Sequence, residues 1–321
     1  MRTPILTIGL PVYNGEAYLS KAIRSLLDQD FEDFELIISD NGSNDRTEVI
    51  CKEAAAQDSR IRYLRSDQNR GATWNFRRVF ELSRGEFFKY AAYDDECYPT
   101  MLRRCMEAMI AGGPSVALVY TQSEVIDENS EVIPRDGSPR WDGVATTAQS
   151  ACLRLWHVLW WVLHGQATYG VIRSSFLRRL RPCGPVADDW VRLAQLAMLG
   201  KIVEVPEVLF RLRRHAANTW NGVNTLQQVL QLHNPETSWF EKNLPFRVAI
   251  MLEHMKSVCY LPLTVTEKMS CMPVACFTPL LRNVWIWALR KTGPLRKELR
   301  AATGWKALHP SDPDSQKSYA R

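Results

Sequence analysis

The sequence lacks several patterns that would by themselves indicate a class of protein or a type of partner. Its eight cysteines are scattered without a Cys-x-x-Cys pair or zinc-type spacing, which predicts reduced, mostly buried thiols and neither a disulfide framework nor a zinc site. The net charge of +5 is modest and forms no concentrated basic stripe, so a nucleic-acid partner is not expected. No signal-type segment opens the chain, and prolines and charges interrupt the apolar stretches of the last hundred residues. We therefore expect a cytoplasmic protein without a membrane-spanning helix in that region.

What the sequence does contain is an alternation of two hydrophobic periods. With 321 residues and 46% hydrophobic content, the chain can bury a large core. Apolar runs predict strands, and apolar residues at helical spacing predict helices between them. The strands are expected at residues 5–10, 34–39, 61–64, 87–92 and 116–120, and the helices at 19–27, 46–56, 72–82 and 100–111. This order predicts an α/β fold with a mostly parallel sheet covered by helices on both faces.

Polar clusters follow three of these strands directly, at residues 11–16, 40–45 and 94–96. The carboxyl ends of parallel strands meet at one sheet edge, where ligands bind in open α/β folds. We therefore expect the three clusters to form one site, although each alone could be an ordinary turn. In the third cluster the adjacent Asp94 and Asp95 repel each other, which favours a divalent cation carrying a phosphorylated ligand. Capping of the next helix is the simpler alternative.

Four short motifs, three of them in these clusters, resemble the nucleotide-sugar domain of family 2 glycosyltransferases. They are Pro11-Val12-Tyr13-Asn14-Gly15-Glu16 with Leu19, Asp40-Asn41-Gly42-Ser43-Asn44-Asp45-Arg46-Thr47, Asn69-Arg70-Gly71, and Asp94-Asp95 with Pro99. The resemblance is strong over residues 4–125 and weaker to about residue 220. It implies a GT-A (Rossmann-like) fold, with a nucleotide-sugar-binding half at residues 1–125 and an acceptor-binding half at 126–220. A helical C-terminal region with a disordered tail is expected at 221–321.

The resemblance also implies a donor of the nucleoside diphosphate sugar type, with UDP, GDP or dTDP. Tyr13 offers a flat face for stacking on the base, and Asp40 can accept a hydrogen bond from a ring N–H. Arg70 either approaches the diphosphate or is solvated. The donor-binding residues implied in this way are Pro11, Tyr13, Asn14, Glu16, Asp40, Asn41, Ser43, Arg70 and Asp94.

A divalent metal, Mn²⁺ or Mg²⁺, is implied by the same resemblance. Asp95 would coordinate it directly, with Asp94 and the later His215 completing the shell. The chain departs from the fullest family pattern, because Ala92 stands where many members have another aspartate. For His215 and its arginine neighbours, a solvated basic loop is an equally open alternative.

The general base implied by the resemblance is Asp189, with Asp188 as the alternate. Both precede a segment with helical apolar spacing, so simple capping at a helix start is the structural alternative. The predicted enzyme is a metal-dependent, inverting glycosyltransferase of the hexosyltransferase type, acting on a glycan or lipid-linked acceptor in cell-surface polysaccharide biosynthesis. The alternative is a non-catalytic sugar-nucleotide-binding or scaffold protein of the same fold. A phosphoryl-transfer domain is disfavoured, because it leaves the cluster at residues 11–16 unexplained.

The segment from Arg282 to Lys306 is basic and contains Trp285 and Trp287. Tryptophan beside lysine and arginine suits peripheral contact with the cytoplasmic face of an anionic membrane. The alternative is a helical subdomain that packs these tryptophans against the core. Residues 308–321 are rich in Pro, Ser and Asp, which predicts disorder.

Overall fold

The computed structural model describes residues 3–134, 143–162, 165–182, 188–215 and 245–291. Within these ranges eight strands form one sheet: β1 Leu6–Val12, β2 Phe34–Asp40, β3 Ile61–Arg65, β4 Phe87–Tyr90, β5 Glu96–Cys97, β6 Val116–Ile126, β7 Val171–Arg173 and β8 Lys201–Arg213. The helices are α1 Leu19–Leu27, α2 Thr47–Gln57, α3 Ala72–Glu81, α4 Met101–Ala111, α5 Ala151–Trp161, α6 Ser174–Leu177, α7 Asp188–Leu199, α8 Phe246–Tyr260 and α9 Val265–Lys291. A 3-10 helix spans Gln166–Tyr169.

The strand order in the sheet is β3-β2-β1-β4-β7-β6-β8-β5. Strands β1 to β4 pair in parallel, and β7 runs antiparallel to both of its neighbours, β4 and β6. Because β7 is antiparallel to both β4 and β6, strand β6 runs in the same direction as β4 and β1. Strand β8 pairs in parallel with β6 and has the same direction. The carboxyl ends of β1, β2, β3, β4, β6 and β8 therefore lie at the same edge of the sheet, and the α/β, Rossmann-like architecture is confirmed.

The central strands form where they do because they are apolar on both faces. Every residue of β1 and of β2 is buried, as expected for parallel strands covered by helices on both sides. Helix α1 buries Leu19, Ala22, Ile23 and Leu26, which recur at helical spacing. The predicted strands and helices up to residue 120 are confirmed, with boundaries that differ by one or two residues.

Strand β6 is longer than predicted and continues to Ile126 alongside β8. The extension is polar, so it lacks the apolar pattern that identifies a buried strand. It is stabilised instead by side chains on the neighbouring strands: Tyr120 and Gln122 both donate to the carboxylate of Glu204, and Arg211 pairs with Glu124. Cross-strand pairs of this kind are a main source of sheet stability.

The C-terminal helices α8 and α9 pack on α5 and α7. Their shared core includes Leu155, Met198, Val258 and Cys271, all fully or almost fully buried. Among the described residues, no helix is long and apolar enough to cross a membrane. The predicted disordered tail at 308–321 lies outside the described residues, and so do the side chains of Trp285 and Trp287.

Candidate active site

The topology brings the predicted site residues to one edge of the sheet. The first two polar clusters follow β1 and β2, the acidic pair follows β4, and His215 follows β8. The 3-10 helix precedes β7, which begins at this edge because it is antiparallel to β4. Helix α7 leads into the start of β8 at the opposite edge, so its amino end, with Asp188 and Asp189, also lies at the site edge.

The first two loops are joined by hydrogen bonds between their backbones and side chains. The Asn14 N–H donates to Ser43 Oγ at 2.9 Å, and Asn14 Oδ1 accepts the N–H of Asn44 at 3.0 Å. The Glu16 carboxylate accepts the N–H of Arg46. Asn14 adopts a left-handed backbone conformation with φ of 51°, which asparagine tolerates better than most residues. Tyr13 is 40% exposed at the tip of this loop.

Asp40 ends β2 and is fully buried. One carboxylate oxygen accepts the N–H of Ser43 at 2.8 Å, and the other accepts the Tyr63 hydroxyl at 2.9 Å and lies 3.3 Å from Arg65 Nε. These bonds explain how an aspartate can end a buried strand. The role of Asp40 toward a nucleobase stays a prediction.

Asn41 connects the loop at residues 40–45 to the loop at residues 69–71. Its side-chain amide donates to Asn69 Oδ1 and to the Gly71 carbonyl, and its oxygen accepts the Arg70 N–H at 3.0 Å. The first two predicted clusters and the loop at residues 69–71 are therefore joined in one hydrogen-bonded network. The guanidinium of Arg70 is exposed and lies 4.9 Å from the centre of the Trp74 ring. Pro11 is buried within β1.

The acidic pair lies between β4 and the end of β8. Asp95 is only 7% exposed, and its Oδ1 accepts the Arg213 N–H at 2.9 Å. Burial and the neighbouring Asp94 charge raise the pKa of Asp95 well above its usual value. Asp94 Oδ2 lies 3.0 Å from His215 Nε2, and the His215 ring packs against Tyr18 with centroids 4.6 Å apart. The prediction that His215 and its neighbours form a solvated loop is wrong at His215, which is 7% exposed.

Arg213 is a central residue of this site that the sequence analysis did not single out. Its side chain is fully buried, donates to the Asp94 carbonyl at 2.8 Å and to the Asp127 carbonyl at 2.6 Å, and forms an ion pair with Glu96. It therefore holds the acidic loop against the end of β6. The two partners that neutralise and anchor it are distant in sequence, so no local pattern distinguishes it from the other arginines of the segment.

The donor set of the acidic pair fits a hard divalent cation. Asp94, Asp95 and His215 supply carboxylate and imidazole ligands, and two neighbouring carboxylates in a buried setting are stabilised by added positive charge. Among the described residues, however, no group of three His, Cys, Asp or Glu side chains is arranged to hold a metal by itself. Mg²⁺-type sites commonly use one or two carboxylates and complete their shell with phosphate and water. The geometry therefore suits a metal that is held jointly with a phosphorylated ligand.

Asp189 lies in the first turn of α7 and packs directly on Gly165. A β-carbon placed on Gly165 would lie 2.1 Å from Asp189 Oδ2, so a larger residue at this position would displace the Asp189 side chain or the loop. Gly165 also has a left-handed φ of 70°. Asp189 Oδ1 accepts the N–H of Trp190 at 2.9 Å. The neighbouring Asp188 instead pairs with Arg192 at 2.7 Å within the same helix.

Tyr169 and Lys89 connect the 3-10 helix to β4. Burial raises the pKa of Tyr169 well above its usual value, and the charges of the two acidic pairs raise it further. Lys89 is fully buried in β4, and its ammonium donates to the Tyr169 carbonyl at 2.5 Å. It therefore ties the 3-10 helix next to Gly165 to the strand that leads to Asp95. A lysine inside an apolar strand was a visible signal that the sequence analysis did not use.

Comparisons with known proteins agree with this fold. Residues 7–162 match the family model described as glycosyl transferase family 2. The chain is 33% identical over 105 residues to the GalNAc(5)-diNAcBac-PP-undecaprenol beta-1,3-glucosyltransferase of Campylobacter jejuni. The aligned region covers 32% of this chain and 34% of that protein. The chain thus spans about a third of this relative's length.

Solved structures share the fold over nearly the whole chain. TarS residues 1–349 of S. aureus, in complex with UDP-GlcNAc, align with a TM-score of 0.61 at 14% identity, covering 97% of this chain and 77% of that one. The mannosyltransferase PcManGT of Pyrobaculum calidifontis, in complex with GDP-Man and Mn²⁺, aligns with a TM-score of 0.51 at 13% identity, covering 98% and 84%. The protein has the GT-A fold of glycosyltransferases. Within this fold, residues 7–162 form the part of the chain that matches glycosyltransferase family 2.

Proposed function

We propose that this protein is a metal-dependent, inverting glycosyltransferase that moves a sugar from a nucleoside diphosphate sugar to a hydroxyl of a glycan or lipid-linked acceptor. The observation that carries the proposal is the convergence, at one sheet edge, of three hydrogen-bonded loops, the Asp94–Asp95 pair and the Asp189 carboxylate. Structural neighbours in complex with UDP-GlcNAc or GDP-Man support a donor of this class. A hexose as the sugar, cell-surface glycan biosynthesis as the process and the cytoplasm as the location belong to the same proposal.

The donor half contributes a rigid frame for the nucleotide. Tyr13 is exposed at the loop tip, where it can stack on a base, and the loop below it is fixed by the Asn14 and Glu16 hydrogen bonds. Asp40 and Asn41 lie under this surface and hold the loops together. Arg70 is exposed on the loop at residues 69–71, where its guanidinium can reach a diphosphate.

Asp94, Asp95 and His215 would hold a divalent cation together with the diphosphate. When bound, such a cation neutralises the negative charge that develops on the departing diphosphate. Arg213 positions both aspartates, because its backbone binds the Asp95 side chain and its guanidinium binds the Asp94 backbone.

Asp189 is the proposed general base. It removes the proton from the acceptor hydroxyl as that oxygen attacks the anomeric carbon on the side opposite the diphosphate, and one such displacement inverts the anomeric configuration. A positioned base typically contributes about 10²- to 10⁴-fold to the rate. Asp188, the alternate, pairs with Arg192 within the same helix.

A panel of nucleotide sugars tests the proposal. Thermal unfolding of the full chain is followed with UDP-, GDP- and dTDP-sugars, each with and without Mn²⁺. We expect one nucleotide class to raise the melting temperature, and to raise it further with Mn²⁺. Binding without release of nucleoside diphosphate, in the presence of an acceptor pool, would favour the non-catalytic alternative that the alanine at position 92 suggests. No stabilisation by any donor would contradict both.

A further inference from the structure

Large apolar side chains are exposed mainly on two neighbouring helices, α5 and α9. On α5, Leu153, Trp156 and Trp161 are 58%, 44% and 40% exposed. On α9, Met269, Phe277 and Leu281 are 71%, 60% and 59% exposed. These six residues define what we call the α5–α9 face. Clusters of exposed apolar residues on a folded domain mark surfaces that bind a protein or a membrane.

The two helices lie side by side and run in the same direction. Near their beginnings, the Cys152 thiol contacts the Ser270 carbonyl at 3.3 Å, and farther along, Arg282 donates to the Val162 carbonyl at 2.8 Å. Their inner sides pack into the core through Leu155 and Cys271. Helix α9 is therefore apolar on its inner and its outer side. A helix with this pattern is stabilised when both sides are buried against another surface.

Helices α5, α8 and α9 have an excess of basic residues in their sequence, although Arg154 of α5 is buried. Helices α5, α8 and α9 together contain seven of the 40 lysines and arginines of the chain but two of its 35 acidic residues. The excess equals the +5 net charge of the whole protein, so the remainder of the chain is balanced. A second copy with the same excess would be repelled, whereas an anionic surface would be attracted.

We propose that the α5–α9 face binds the surface of an anionic lipid bilayer. Tryptophan suits the boundary between headgroups and acyl chains, because its ring is apolar and its N–H is polar. Trp156 stacks on Trp160, with ring centroids 5.9 Å apart, so the face presents a broad aromatic surface. The excess of lysine and arginine in helices α5, α8 and α9 adds attraction to anionic headgroups.

The face ends beside the proposed general base. Arg282, which contacts the end of α5, lies 5.9 Å from the centre of the Trp190 ring, and Trp190 follows Asp189 directly. A bilayer on this face would therefore lie close to the acceptor side of the site. This orientation deepens the proposed function, because it favours an acceptor whose hydroxyl is carried by a lipid.

Vesicle sedimentation with the full chain tests the proposal. Vesicles of phosphatidylcholine alone are compared with vesicles containing phosphatidylglycerol, and binding is expected with the anionic lipid and to weaken with salt. A triple variant, Trp156→Ser, Phe277→Ser and Leu281→Ser, should bind at least tenfold more weakly. The matched control, Val49→Ser, Ile110→Ser and Val132→Ser, removes residues that are 46%, 70% and 46% exposed elsewhere and should bind like the wild type.

Lys268→Glu provides a second variant that leaves the apolar face unchanged and should also weaken binding to anionic vesicles. Wild-type protein that ignores anionic vesicles, or a triple variant that binds as well as its control, would overturn the proposal. Loss of a dimer in the triple variant, without vesicle binding by the wild type, would assign the face to a second copy instead. Sedimentation does not depend on sugar transfer, so a negative result would leave the proposed activity untouched.

Discussion

Replacing Gly165 with alanine should displace the proposed general base without altering the donor side of the site. The added methyl group would lie 2.1 Å from Asp189 Oδ2 and 2.7 Å from Asp189 Cγ. Carbon and oxygen atoms do not approach this closely, so the carboxylate or the loop must move by about 1 Å. A misplacement of about 1 Å can reduce turnover about 10²-fold. We therefore expect kcat to fall by about that factor, with little change in donor affinity.

Gly113 offers a matched control for this substitution. It has a left-handed φ of 74°, close to the 70° of Gly165, but a β-carbon there would meet nothing within 4 Å. Alanine in this backbone conformation costs about 1–2 kcal/mol at either position. Both variants should therefore lose a similar amount of stability, while only Gly165→Ala should lose turnover.

The assay is release of nucleoside diphosphate at saturating donor, together with donor affinity by calorimetry. A double-mutant cycle with Asp189→Asn isolates the contact, because the Gly165→Ala effect should largely vanish once the base is absent. Equal turnover in Gly165→Ala and Gly113→Ala would refute the reasoning. Additive losses in the double variant would show that Gly165 acts independently of Asp189.

Three further predictions concern the metal site, the opposite edge of the sheet and the C-terminal helices. Asp95→Asn should abolish the strengthening of donor binding by Mn²⁺ but keep metal-free binding, measured by calorimetry with and without the metal; unchanged dependence on Mn²⁺ would exclude Asp95 as a ligand. Glu35 accepts hydrogen bonds from Arg84, Thr7 and Arg62 at the amino end of β2; burial alone would raise the pKa of Glu35, but these bonds outweigh it and lower that pKa. Glu35→Gln should therefore cost about 1–3 kcal/mol of stability at neutral pH, with donor binding unchanged. The difference from the wild type should shrink as acid protonates the wild-type carboxylate. A loss of donor binding at constant stability would contradict this. Burial lowers the pKa of His254 to about 4 from its ordinary 6.5. Between these two pH values the histidine is protonated in the unfolded chain but neutral in the folded protein. The free energy of unfolding should therefore fall as the pH drops from about 6.5 toward 4. His254→Gln should shrink the loss of melting temperature between pH 7 and pH 5; an equal loss in both proteins would contradict the assignment.

Much of the fold could be predicted because the N-terminal half is locally consistent. Each buried strand is a continuous apolar run, and each covering helix repeats its apolar residues at helical spacing. The extension of β6 beyond Tyr120 could not be predicted in this way. It is polar, and it is stabilised by Glu204 and Arg211 from β8, which are more than eighty residues away in sequence.

The site shows the same division between local and distant information. The convergence of the first loops was predictable, because the topology of parallel strands determines which ends meet. The burial of Arg213 was not, because its partners Glu96 and Asp127 come from other strands and loops. The role of Gly165 was equally hidden, since it depends on the Asp189 carboxylate of a helix that begins 23 residues later.

Turnover of Asp189→Asn against Asp188→Asn tests the central claim most directly. Both variants remove one charge from the first turn of α7, but only Asp189 contacts Gly165, while Asp188 pairs with Arg192. We predict that Asp189→Asn binds donor normally and releases nucleoside diphosphate about 10²- to 10⁴-fold more slowly, whereas Asp188→Asn keeps turnover within a few-fold of the wild type. Normal turnover in Asp189→Asn, or equal losses in both variants, would contradict the account.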